Sequence, residues 1–116
     1  MSADPRTRAR NRGKTTERSV ARRLGGKRNG ATGLATADVE TAVFAIETKS
    51  RKTLPDWLTA AMAQAVRNAP DGKTSLLVLH ELGRRHDGDL VIMRMGDFED
   101  WFGRVGSETA ETAREE

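Results

Sequence analysis

The chain has 116 residues, 20 Lys and Arg against 17 Asp and Glu for a formal charge of +3, and no cysteine, which excludes disulfides, thiolate zinc sites and cysteine catalysis. That length suits a single domain with a modest core. No apolar run approaches the roughly 18 residues of a membrane span, and the Arg-rich start lacks the apolar stretch of a secretory signal, so an intracellular, cytoplasmic protein without a membrane partner is expected.

The modest total hides an uneven distribution. Residues 1–30 hold ten basic and two acidic side chains (+8), residues 31–105 nine and eleven (−2), and the last eleven residues one and four (−3). Arg6, Arg8, Arg10 and Arg12 come without apolar periodicity, which predicts a flexible basic arm over 1–13. From Lys14, the positions Glu17, Val20, Ala21 and Leu24 share one helical face, and Gly25 and Gly26 supply the stop. The stretch from Gly26 to Ala35 reads as a mobile basic loop.

A short segment at Ala37 to Glu40 and the run Val43 to Lys49 follow, the latter predicted as a strand buried on both faces, with a turn near Thr41 able to join the two as a hairpin. Thr53 is placed to cap a helix whose stripe is Leu54, Trp57, Leu58, Ala61, Met62, Ala65 and Val66, ending near Asn68. Strands are predicted over Thr74 to Leu82 and Leu90 to Met95, then a short helix from Asp97 with Phe98, Trp101 and Phe102. An apolar strand, a helix and another apolar strand in succession predict an α/β fold, a mixed β-sheet flanked by helices, over a single domain 14–105. The stretch 106–116 is expected to be a disordered acidic tail.

Glu17, Asp38, Glu47 and Lys49 stand out by type and placement. Side chains alternate along a strand, so Glu47 and Lys49 project to one side at the end of an apolar run. Asp38, one strand earlier, can face Glu47 in a hairpin. Two adjacent carboxylates repel unless a cation lies between them, and hard oxygen donors with open water positions suit Mg²⁺. A metal there can polarise a phosphodiester and lower the pKa of a bound water, while Lys49 orients that water or stabilises developing charge. Positions 38 and 40 share a strand face, so periodicity alone leaves Glu40 open as the first acid.

These residues resemble a known family. Asp38 followed nine residues later by Glu47-Thr48-Lys49 is similar to the PD-(D/E)XK nuclease motif, and the surroundings resemble Holliday junction resolvases of archaeal and phage type. Gly13-Lys14-Thr15-Thr16-Glu17-Arg18 matches the Gly-x-x-x-Glu-Arg context of a helix-borne catalytic Glu, Gly25 to Gly33 matches a Gly-rich basic loop, and Ser50-Arg51-Lys52 matches the basic residues after Glu-x-Lys. Ala37 stands where the family usually carries proline.

The resemblance implies a restriction-endonuclease-like core and a metal-dependent endodeoxyribonuclease that cuts four-way junctions. In that reading Asp38, Glu47 and the Thr48 carbonyl hold Mg²⁺, for which Mn²⁺ can substitute. Lys49 assists hydrolysis, Glu17 completes the site and Gln64 acts as a polar helper. The expected phosphate contacts are Arg10, Arg12, Lys14, Arg18, Lys27, Arg28, Arg51 and Lys52, and arginine arms favour branched double-stranded DNA recognised by shape over a long specific sequence. Matched incisions in a symmetric junction imply a homodimer. The alternatives are another nuclease of the superfamily, acting on duplex ends or flaps, and a non-catalytic DNA-binding protein.

Three further motifs read as structural. Gly13-Lys14-Thr15 mimics the end of a Walker A loop, but Arg8 stands where the first Gly belongs, so no nucleotide cofactor is expected. Pro55-Asp56 fits the first turn of a helix. His80, His86, Asp87 and Asp89 are expected to form a solvated hairpin turn rather than a second metal site.

Overall fold

Asp4 begins the first helix. In a computed structural model of the chain, which describes residues 4–30 and 36–103, its carboxylate accepts the Arg6 N–H at 2.9 Å and Pro5 occupies the first helical turn, where a missing N–H is harmless. Helix α1 therefore spans Pro5–Leu24 and absorbs most of the stretch predicted as a flexible arm. The start is invisible to periodicity because the first two turns bury no apolar face: Arg6, Arg8, Arg10 and Arg12 are all exposed. Gly25, at φ 69°, closes α1 in the left-handed conformation and returns its N–H to the Ala21 carbonyl.

The described residues fall into two compact units, one of 4–30, 36–51 and 101–103 and one of 52–100. In the first unit, β1 (Lys27–Arg28), β2 (Val39–Glu40) and β3 (Ala45–Ile46) form an antiparallel sheet in that order. Part of the predicted basic loop is thus an edge strand. Arg28 pairs with Val39, and Val39 with Ile46. The predicted turn joins β2 to β3: Thr41 Oγ1 accepts the N–H groups of Val43 and Phe44, and the Thr41 N–H reaches the Phe44 carbonyl at 2.9 Å.

Helix α1 packs on β1 and β2, with Ala21, Leu24 and Val39 buried. Val39 is fully enclosed, a burial that contributes about 1.5 to 3 kcal/mol. The expectation of a strand buried on both faces does not hold, since Val43 and Ala45 are exposed and Ile46 is half-buried. Phe44 meets Phe102 edge to face at 6.5 Å.

In the second unit, α2 (Asp56–Asn68) starts after Pro55 without a side-chain cap, so the capping role predicted for Thr53 is not used. Its stripe half-buries Leu58, Ala61, Met62, Ala65 and Val66 and packs on β4 (Leu77–Leu79), which pairs antiparallel with β5 (Leu90–Ile92). A 3-10 helix, His86–Gly88, lies in the connection between these strands, and α3 spans Met95–Phe102. The fold is α/β, with two antiparallel sheets where one mixed sheet was predicted. Strands β4 and β5 are adjacent in sequence, so a hairpin satisfies both edges without the long crossover that parallel pairing demands. The predicted acidic tail lies outside the described residues. No helix among the described residues is long and apolar enough to cross a membrane.

Candidate functional site

The β2–β3 hairpin positions the acids. Val39 and Ile46 form the last ladder pair of the hairpin, and Asp38 precedes the one as Glu47 follows the other. Ladder pairing stops there for a local reason: the Thr48 N–H donates to Asp38 Oδ2 at 2.9 Å, and the Thr48 hydroxyl approaches the same oxygen at 3.4 Å. The half-buried Asp38 carboxylate is therefore held in place, while Glu47 and Lys49 are exposed. Because β3 ends at Ile46, strand alternation does not by itself set the side of Glu47 and Lys49.

Glu40 is engaged differently. It pairs with Lys27 and Ala45 in the ladder, and its Oε1 accepts from Asn29 Nδ2 at 3.1 Å. Asn29 also donates to the Ala37 carbonyl at 2.7 Å and, through its backbone, to the Asp38 carbonyl at 3.0 Å. This edge residue thus fixes the backbone on either side of the Ala37–Asp38 peptide bond.

Glu17 accepts Arg28 Nε on Oε2 at 2.6 Å, with both side chains only 20 to 25% exposed. Among the described residues, Glu17, Asp38 and Glu47 do not form a cluster of ligand atoms within 4.8 Å of one another. Gln64 belongs to the second unit, at an exposed position on α2.

Basic groups surround a shallow pocket of about 420 Å³ in the first unit, lined by Asn11, Arg12, Thr15, Thr16, Ser50 and Arg51. The Thr16 and Ser50 hydroxyls hydrogen-bond to each other across it. Arg10, Arg12, Lys14, Arg18, Arg22 and Arg23 are exposed along α1, as are Lys27, Arg51 and Lys52.

Known families, curated proteins and solved structures contain no match to this chain. The chemistry must therefore be read from its own residues.

For a hard divalent ion, the hairpin end offers one oriented carboxylate, Asp38, and one exposed carboxylate nearby in the chain, Glu47. Asp38 directs Oδ2 to Thr48, and a carboxylate has further acceptor capacity to offer a cation. Two carboxylates with several waters are a donor set that Mg²⁺ accepts.

A second cluster lies at the β4–β5 connection, where a solvated turn was expected. His80 Nδ1 is 2.6 Å from Asp89 Oδ1, His86 Nδ1 is 2.9 Å from Asp89 Oδ2, and the imidazoles stack at 4.1 Å. Residue types alone did not single out this arrangement. The available signal was register: a hairpin pairing Leu79 with Leu90 sets His80 against Asp89.

Proposed function

We propose that the chain is a metal-dependent endodeoxyribonuclease acting on branched DNA. The observation that supports this reading is the Thr48 N–H clasp on Asp38 at the end of the β2–β3 hairpin, with Glu47 and Lys49 the chain neighbours of Thr48. In this reading Asp38 and Glu47 hold Mg²⁺, with the Thr48 carbonyl as a further donor. Glu40, paired with Ala45 and bonded to Asn29, serves the sheet. When bound, the ion supplies polarisation of the phosphodiester and a more acidic water.

Lys49 offers an ammonium to the attacking water or to charge developing on the phosphate. The Arg12 and Arg51 side chains at the pocket on α1 receive a backbone phosphate, and the exposed basic residues of α1 extend the contact along the duplex. The restriction-endonuclease-like core, the preference for four-way junctions and the two-fold homodimer that matched incisions need belong to the same proposal.

The exposed basic helix also favours a second reading, a DNA-binding protein whose acids are structural. One experiment separates them. A synthetic four-way junction is incubated with Mg²⁺ or Mn²⁺ and either the unaltered chain or Glu47→Gln. Nicking by the unaltered chain alone supports the nuclease, and binding without nicking in either metal supports the binder. Linear duplex, flap and single strand of equal sequence test selectivity for branching, and equal cleavage of all would reject junction resolution.

A further inference from the structure

Register puts three metal-competent side chains at one end of the second unit. Leu77 pairs with Ile92, Val78 with Val91 and Leu79 with Leu90, so His80 and Asp89 face each other one step beyond the last ladder pair. The 3-10 turn His86–Gly88 folds the connection back, and the Asp89 N–H bonds the His86 carbonyl at 2.9 Å. That closure stacks the His86 ring on His80, with centroids 4.1 Å apart and planes 25° apart.

Ligand atoms of His80, His86 and Asp89 all lie within 4.8 Å of one another, and they form the one such group found among the described residues. We propose that these three residues bind a single divalent transition-metal ion, with Zn²⁺ favoured.

The donor set selects the ion class. Two imidazoles and one carboxylate suit Zn²⁺ and its neighbours, whereas Mg²⁺ and Ca²⁺ prefer oxygen. Asp89 bridges both rings through separate oxygens, a bridge that an ion replaces when each neutral imidazole presents the Nδ1 lone pair and carries its proton on Nε2. Ligand bonds of about 2.0 to 2.2 Å set tetrahedral donors more than roughly 3 Å apart, so the two rings, now 2.6 and 2.9 Å from Asp89, must shift off its oxygens to admit the ion.

Mobility is available where that shift needs it. The His86 side chain is 81% exposed, while Asp89 is 12% exposed and anchored beside β5. Three protein ligands leave the fourth position of a tetrahedral ion to water or an incoming anion, so the site is open rather than closed. It is independent of the carboxylates of the proposed nuclease centre.

The test uses the full chain, stripped with chelator and titrated with Co²⁺, whose visible bands report low-coordinate N/O ligation, followed by displacement with Zn²⁺ in a calorimeter. With millimolar Mg²⁺ present throughout to occupy the proposed carboxylate centre, one Co²⁺ or Zn²⁺ per chain is expected, with an upward shift of roughly 5 °C in the melting temperature at saturating Zn²⁺. His86→Ala, at an exposed position that folding does not depend on, should weaken Co²⁺ binding by about 100-fold or more, since even outer-shell changes bring 10- to 100-fold losses. Asp87→Asn, on the same turn but outside the ligand set, should bind as the unaltered chain does, and so should Glu47→Gln. No Co²⁺ bands at millimolar ion would overturn the proposal, as would undiminished binding by His86→Ala or loss of binding in Glu47→Gln instead.

Discussion

Arg28 Nε lies 2.6 Å from Glu17 Oε2, tying the middle of α1 to the edge strand β1. The pair is largely shielded, and Arg28 sits in register with the fully buried Val39, so the contact fastens the helix over the core. Glu17→Gln should lower stability by about 1 kcal/mol, less than the roughly 1.5 to 3 kcal/mol of a hydrogen bond to a charged group because the pair keeps some contact with solvent. A double-mutant cycle with Arg28→Ala, followed by urea unfolding, should return a coupling of about 1 kcal/mol. Additive losses would show that the two side chains act separately.

Two glycines of the first unit should respond to alanine with opposite signs. A Cβ on Gly26 would meet the Glu40 carbonyl oxygen at 2.8 Å and Val39 Cγ1 at 2.9 Å, so strand and helix must separate. Gly26→Ala should destabilise by about 2 kcal/mol. Gly13 lies inside α1 with nothing near its missing Cβ, and Gly13→Ala should stabilise by about 0.5 to 1 kcal/mol. Thermal unfolding of both variants beside the unaltered chain checks the pair, and a common sign would contradict the packing described.

Arg12 and Arg51 line the same pocket, which suits a single phosphate. Removing either should weaken DNA binding evenly across sequences and reduce the slope of log affinity against log salt by about 1. Fluorescence anisotropy over a salt series measures this. An unchanged slope in both variants would remove the pocket from the interface.

Lys49 is exposed two residues after Glu47 and separates chemistry from binding. Lys49→Ala should slow junction cleavage by about 100-fold or more while leaving junction affinity within about threefold, because one ammonium among many basic groups contributes little to binding. Parallel cleavage and gel-shift assays would show whether affinity falls as far as rate, which would make Lys49 a phosphate contact only.

The elements that could be anticipated were those whose causes are local. The stripe from Leu58 to Val66 made α2 legible, and Thr41 marked the turn that its own hydroxyl closes. Because that turn is short, the hairpin between the segments it joins was legible with it. The start of α1 was not, since a helix turn with no buried face leaves no periodic trace, and its cause is the Asp4 cap and Pro5.

Sequence by itself determined the charge asymmetry, the α/β content and the acid, Thr and Lys combination around Glu47. Tertiary structure alone decided that Glu17 closes on Arg28, that the chain divides into two units with separate antiparallel sheets, and that His80, His86 and Asp89 converge. The reason is one of range. Periodicity and turn chemistry act within a few residues, whereas pairing across a connection from His80 to Asp89 depends on register, which is set only when whole strands align.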